Sequence, residues 1–332
     1  MDFIQPPVPL SRDNDRPRLV GFEFEFTGLD LPRAVGVVRD VFGGEPTEHN
    51  RFQYTVETEL GRFEVKVDAD IIRTKKYEGY FRRLGLPLEN SEVRLGLEEV
   101  VEKVSATVIP NEIVTPPIPV TRLETVNELN RKLRLAGAKG SKASLLNAFG
   151  LHINPESPSL DARTLRRHLQ AFLLLQDWII EESQIDVSRK MTRFIDDFPE
   201  PYVDMVLSPD YDPDMDGLIR DYLEHNPTRN RSLDMLPLFA WIDRDRILRA
   251  VPEQNNLISP RPTFHYRLPN CLVDDPHWSP AEEWQRWVQV ERLAADSDRL
   301  REMGTAWLAL KNTLFRRAAW IKQVRQWLHS EH

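Results

Sequence analysis

The chain has 332 residues, 41% of them hydrophobic, a net charge of −8 at pH 7 and one cysteine. That length and apolar content suffice for one large core or two smaller ones. The acidic balance argues against nucleic acid, which needs a basic surface, and Cys271 alone excludes an internal disulfide or a cysteine-built metal site.

No apolar run has the length of a membrane span and no N-terminal stretch has signal-peptide form, so a soluble, cytoplasmic protein without membrane contact is expected. Residues 1–17, with "QPPVP" and "SRDNDRPR", read as an extended polar lead-in. "RLVGFEFEFT" then predicts a strand with Phe22, Phe24 and Phe26 on one face and Glu23 and Glu25 on the other. "FQYTVETELGRFEVKVD" predicts a hairpin turning near Leu60-Gly61, and "ATVIPNEIVTPP" a strand that stops at Pro116-Pro117. Thr121 and Glu124 have capping-box spacing, predicting a helix from Thr121 that ends at Gly137. "NAFGLHIN" alternates again, with Gly150, His152 and Asn154 opposite Phe149, Leu151 and Ile153.

After "PESPSLD", Leu165, Leu169, Phe172, Leu173, Gln176 and Ile180 recur at helical spacing. Residues 196–232 are rich in Pro, Asp, Asn and Arg and predict a long loop with short helical pieces, a lid candidate. "RPTFHYRLPN" predicts one more short strand, with Phe264, Tyr266 and Leu268 opposite Thr263, His265 and Arg267. The C-terminal part is helical: Ser279-Pro280 with Glu282 predicts an N-cap, and Leu310, Leu314, Ala318, Ile321 and Leu328 a later apolar stripe. The flanking Lys311, Arg316, Arg317, Lys322 and Arg325 read as a solvated face. Strands and helices mix without regular alternation, which favours α+β with a largely antiparallel sheet over a doubly wound fold.

Several strands set chemistry-bearing groups opposite an apolar alternation: Glu23 and Glu25, Glu64 and Asp68, Glu112, His152 and Asn154, His265 and Arg267. Taken singly, each has an ordinary explanation as the wet side of an antiparallel sheet. Taken together, carboxylate and imidazole dominate those positions, and such crowding on one face calls for cations. Magnesium or manganese would serve, with oxygen ligands and an occasional imidazole. Glu23 and Glu25 lie about 7 Å apart along a strand, within reach of two ions about 4 Å apart. Walker, dinucleotide-glycine, HExxH and nucleophile-elbow patterns are absent from the sequence.

The segments "GFEFEF", "GRFEVKVDAD", "NEIVTPPI", "LRLAGAKGS…AFGLHINPE", "NPTRNRSLDMLPLFAWID" and "RPTFHYRLPN" resemble, in order, the amidoligase family of carboxylate–amine ligases, related to glutamine synthetase and glutamate–cysteine ligase. The resemblance implies a catalytic domain over residues 18–290, after the lead-in 1–17 and before a helical extension 291–332. It also implies a glutamine-synthetase-like fold, a curved sheet forming a funnel with helices outside. Carried over residue by residue, Glu23 and Glu25 each feed a divalent metal, Asp68 and Glu112 complete the cage, and His152 binds metal or nucleotide with Asn154 beside it. The last strand usually reads Glu-x-Arg; this chain has His265-Tyr266-Arg267, a departure that replaces a charged ligand by a neutral one that prefers softer ions than magnesium.

The implied activity is ATP-dependent amide or isopeptide-like bond formation through an acyl phosphate, with Mg2+ or Mn2+. Arg267 and Arg261 would stabilise the transferring phosphoryl group, while Arg229 and Arg231 would contact the nucleotide or substrate. The partners would be a small-molecule or peptide carboxylate and an amine. Two rivals stand beside this: a two-metal phosphoesterase, and a catalytically impaired nucleotide- and metal-binding protein on the same scaffold, motivated by His265. Trp284, Trp287 and the C-terminal stripe fit equally a domain interior or a homo-oligomer interface.

Overall fold

A computed structural model describes residues 1–8, 10, 16–68, 110–141, 149–183, 195–311 and 313–329. Part of the lead-in and residues 106–109 of the strand expected to stop at Pro116-Pro117 lie outside the described residues.

The Phe/Glu alternation forms β1 (Leu19–Phe26), in which Val20, Phe22, Phe24 and Phe26 are wholly buried. Each such phenylalanine contributes about 2 kcal/mol by leaving water. Helix α1 (Leu31–Phe42) follows, started by Asp30, whose carboxylate accepts from the Arg33 amide, and by Pro32 in its first turn. Strands β2 (Glu45–Asn50), β3 (Gln53–Thr58) and β4 (Gly61–Val67) make an antiparallel meander, with the β3–β4 turn where the sequence puts it. Then come β5 (Asn111–Val114), β6 (Ile118–Pro119), α2 (Glu124–Ala136), β7 (Leu151–Pro155) and α3 (Ala162–Glu182). The remainder comprises α4 (Glu200–Val206), α5 (Met215–His225), β8 (Leu233–Asp234), α6 (Leu236–Ile242), α7 (Arg244–Ala250), β9 (His265–Tyr266), α8 (Pro280–Ala295), α9 (Ser297–Ala309) and α10 (Arg316–His329).

The class is α+β. Among the described residues nine strands form one open antiparallel sheet in the order β2-β3-β4-β5-β1-β7-β9-β8, with β6 added to the start of β1. Helices cover its phenylalanine face. Phe42 of α1 packs on Phe63, Phe172 of α3 meets Tyr266 edge-on, and Trp287 of α8 lies against Phe264 and Tyr266. The lead-in joins this layer, since Phe3 meets Phe22 edge-on and the Trp284 indole donates to the Ile4 carbonyl at 2.8 Å.

Some expectations need correction. Helix α2 begins at Glu124, with residues 120–122 forming a tighter turn before it. The Glu124 carboxylate accepts from the Phe3 amide at 2.7 Å, so the lead-in takes the group a capping box would use. Gly137 does end that helix, in the left-handed conformation that glycine adopts without penalty. Residues 196–232 carry the expected helical pieces, α4 and α5, but these are packed inward, burying Tyr202, Val206, Leu218 and Tyr222. The C-terminal stripe is broken between α9 and α10: Leu314 is 85% exposed, while Trp320, Ile321 and Val324 carry the packing. Of the flanking bases, Lys311, Arg316, Arg317 and Arg325 pair with Asp204, Glu200, Asp177 and Glu181. The Ser279 hydroxyl makes no cap to α8. Among the described residues no helix is long and apolar enough to cross a membrane.

Candidate active site

Residues paired across neighbouring strands send their side chains to the same face of a sheet. Glu23 pairs with His152 between β1 and β7, and Glu25 with Glu112 between β1 and β5, which in turn pairs with Lys66 of β4. Extending the Ile153–Tyr266 pair by one residue each way sets His152 opposite Arg267 and Asn154 opposite His265, whose other neighbour is Asp234 of β8. The face opposite the phenylalanines therefore carries rows of titratable groups drawn from six strands.

At its centre the Glu23 carboxylate accepts from Asn154 Nδ2 at 2.9 Å and lies 3.0 Å from His152 Nδ1. His152 Nε2 faces the Glu25 carboxylate at 3.6 Å, and Glu25 also accepts from the Gly150 amide at 2.6 Å. His265 Nδ1 is 2.7 Å from Asn154 Oδ1. Because the Asn154 amide donates to Glu23, its oxygen turns toward His265 and accepts an Nδ1 proton, which leaves Nε2 of His265 with its lone pair. Arg261 completes the cluster, donating to Asn154 Oδ1 at 2.8 Å and standing 3.5 Å from Glu23. Potential ligand atoms of Glu23, His152 and His265 all lie within 4.8 Å of one another. Two imidazoles and a carboxylate suit a divalent first-row transition ion better than they suit magnesium.

Two further groups flank this centre. On the β4 side, Lys66 Nζ lies 3.3 Å from Glu112 and 3.4 Å from Glu64. On the β8 side, Arg267 donates to the Arg229 carbonyl, and Arg229 Nε is 3.8 Å from the fully buried Asp234.

Charge follows from these neighbours. Burial alone would raise the Glu23 pKa, but the His152 hydrogen bond and the nearby Arg261 guanidinium hold it well below the usual carboxylate range. Glu112 is pushed up by burial, opposed by Lys66 and reinforced by Glu23, Asp68 and Glu25. Burial works against the Lys66 ammonium, yet Glu112 and Glu64 more than offset it and keep Lys66 charged. Burial pushes His265 well down, with Glu23 opposing and Arg261, His152 and Arg267 adding to it, so its imidazole is neutral.

Unfolding releases His265 to take a proton near pH 6.5, which the folded chain resists, so metal-free protein is expected to lose stability as pH falls below that value. The contribution is about 1 kcal/mol over the first pH unit below 6.5. Urea midpoints at pH 7.5 and 5.5 in chelator check this. His265→Asn should flatten the acid limb, and an unaltered limb would refute the assignment.

Of the residues singled out from sequence, Glu23, Glu25, Glu112, His152, Asn154, Arg261, His265 and Arg267 meet on this face. Arg229 borders it. Asp68 follows the end of β4, its amide bonded to the Pro110 carbonyl at 2.9 Å, and its charge reaches Glu112. Arg231 stands apart: its guanidinium bonds Asn226 Oδ1 at 2.8 Å and the Asp197 and His225 carbonyls, tying down the segment around α5. Two members of the face were missed. Lys66 was legible, since "EVKVD" puts it on the same side of the strand as Glu64 and Asp68. Asp234 lies in a two-residue strand with no alternation to reveal it.

The α+β scaffold thus sets a carboxylate–imidazole centre beside guanidinium groups. A family model described as "Putative amidoligase enzyme" matches residues 16–289. The chain belongs to this amidoligase family, and its class is that of a ligase. No curated protein and no solved structure matched it.

Proposed function

We propose that the chain is an ATP-dependent carboxylate–amine ligase with a glutamine-synthetase-like funnel, working through an acyl phosphate. The observation that supports this best is the adjacency of two kinds of recognition: the Glu23–His152–His265 donor set, and Arg261 joined to it through Asn154. A nucleotide triphosphate requires both, a divalent ion for its oxygens and guanidinium groups for the phosphoryl that moves.

In this reading Glu23, His152 and His265 hold Mn2+ or Mg2+, with Glu25, Glu112 and Asp68 as the acidic surround. The ion supplies charge neutralisation at the phosphates. Asn154 fixes the Glu23 carboxylate and the His265 tautomer. Arg261 and Arg267 bind the terminal phosphoryl group while a substrate carboxylate oxygen attacks its phosphorus and ADP leaves. An amine then attacks the acyl carbon, inorganic phosphate departs and the nitrogen sheds a proton. Arg229, at the edge, contacts an anionic substrate group.

The test supplies ATP, manganese and a panel of amino-acid and peptide carboxylates, with hydroxylamine as the amine. ADP and hydroxamate are expected in equal amounts, both abolished by chelator. Phosphoester hydrolysis without ADP would put the phosphoesterase in its place. The impaired-binding reading draws on one observation, the closure of Glu23 by His152, Asn154 and Arg261. It requires calorimetric binding of manganese and nucleotide with no ADP from any carboxylate.

A further inference from the structure

We propose that Lys66 is a resident cation occupying the second of two cation positions on the sheet face, so that the chain takes one divalent ion rather than a pair. The inference rests on the reading that a divalent ion binds Glu23, His152 and His265, and it assigns the other half of the same face.

The argument is one of register and charge. Lys66, Glu112 and Glu25 stand in one row across β4, β5 and β1, the row beside the one that holds Glu23 and His152. The Lys66 ammonium lies 3.3 Å from Glu112 on this row and 3.4 Å from Glu64 on the next, so it already meets carboxylate oxygens that a second ion here would require. An ammonium carries three donors and can serve several carboxylates at once. Unlike a bound ion it cannot dissociate, and it tolerates irregular geometry where magnesium demands a near-octahedral shell. Nor is Lys66 a surface lysine with a stray partner. Its side chain is 32% exposed, and the carboxylate it meets on Glu112 is 11% exposed. The two halves of the face thus differ in kind: one offers two imidazoles and a carboxylate, the other carboxylates already met by a fixed positive charge.

Bound manganese is counted per full-length chain at pH 7.5 by following the paramagnetic signal of the free ion during titration. Wild type should bind one ion, Glu23→Gln should lose it, and Lys66→Met should gain a second. Lys66→Arg, which keeps the cation, should still bind one ion with affinity within about threefold of wild type. Two ions on wild type, one on a folded Lys66→Met, or two on Lys66→Arg would each overturn the proposal. No ion on wild type would instead defeat the metal reading of the donor set, and this inference with it. Circular dichroism verifies each fold; if Lys66→Met does not fold, Lys66→Gln supplies the count of a chain without the cation.

Discussion

Replacing Glu23 by Gln is expected to lower ADP formation by about a hundredfold to a thousandfold, the range seen when one preorganised electrostatic group is removed. Glu23 is touched by three members of the centre: Asn154 and His152 at hydrogen-bond distance, Arg261 at 3.5 Å. Its charge is kept in place against burial by those neighbours. The amide has the same shape but no charge, and its NH2 must face either the Asn154 donor or His152. An NH2 facing Asn154 is a donor–donor conflict, one facing His152 obliges Nδ1 to accept, and in either case the donor set loses its anion. The fold should survive, since Glu23 faces away from the phenylalanine layer. Retained secondary structure with collapsed turnover, measured as ADP release under saturating manganese, is the expected outcome. Wild-type turnover from Glu23→Gln would remove the centre from the chemistry altogether.

The largest expected effect on stability lies elsewhere, at a pair with no part in catalysis. Arg18 and Glu291 are each 1% exposed and meet at 2.6 Å. Arg18 also donates to the Glu156 carbonyl, and the Trp287 indole donates to Glu291 at 2.7 Å. Glu291→Ala leaves a buried guanidinium and an indole N–H without their acceptor, which costs about 3–5 kcal/mol. The Arg18→Met/Glu291→Leu double variant removes both charges and should recover most of that loss. Urea unfolding free energies of the three proteins test the pair, and a loss under about 1 kcal/mol for Glu291→Ala would show the burial to be unimportant. The family match ends at residue 289, two positions short of Glu291, and α8 runs unbroken from Pro280 to Ala295. A chain cut after 290 is therefore expected to behave like Glu291→Ala or worse.

How much of this was readable beforehand depended on whether a signal was local. β1 and β7 were legible because alternation over five or more residues leaves only one arrangement of faces, and the carboxylates and imidazoles fell where that pattern sent them. Helix α1 went unread although Asp30 and Pro32 are ordinary start signals. In 196–232, Pro and Asp read as loop composition, yet Asp214 caps α5 through the Gly217 amide. What no local pattern carries is strand order. That β7 lies between β1 and β9, bringing His265 to Asn154, is decided by pairing between segments more than a hundred residues apart. That Arg231 is engaged away from this face was hidden for the same reason, because its carbonyl partners come from the fold around it.

The three donors at the centre sit at positions 23, 152 and 265, so any contiguous stretch holding two of them spans more than a hundred residues. A denatured chain can offer an ion little beyond single weak contacts, and occupancy would discriminate almost wholly in favour of the assembled sheet. Each tenfold excess of free ion over its dissociation constant would then add about 1.4 kcal/mol to the native state. Ion supply would act on the lifetime of this polypeptide as well as on its turnover.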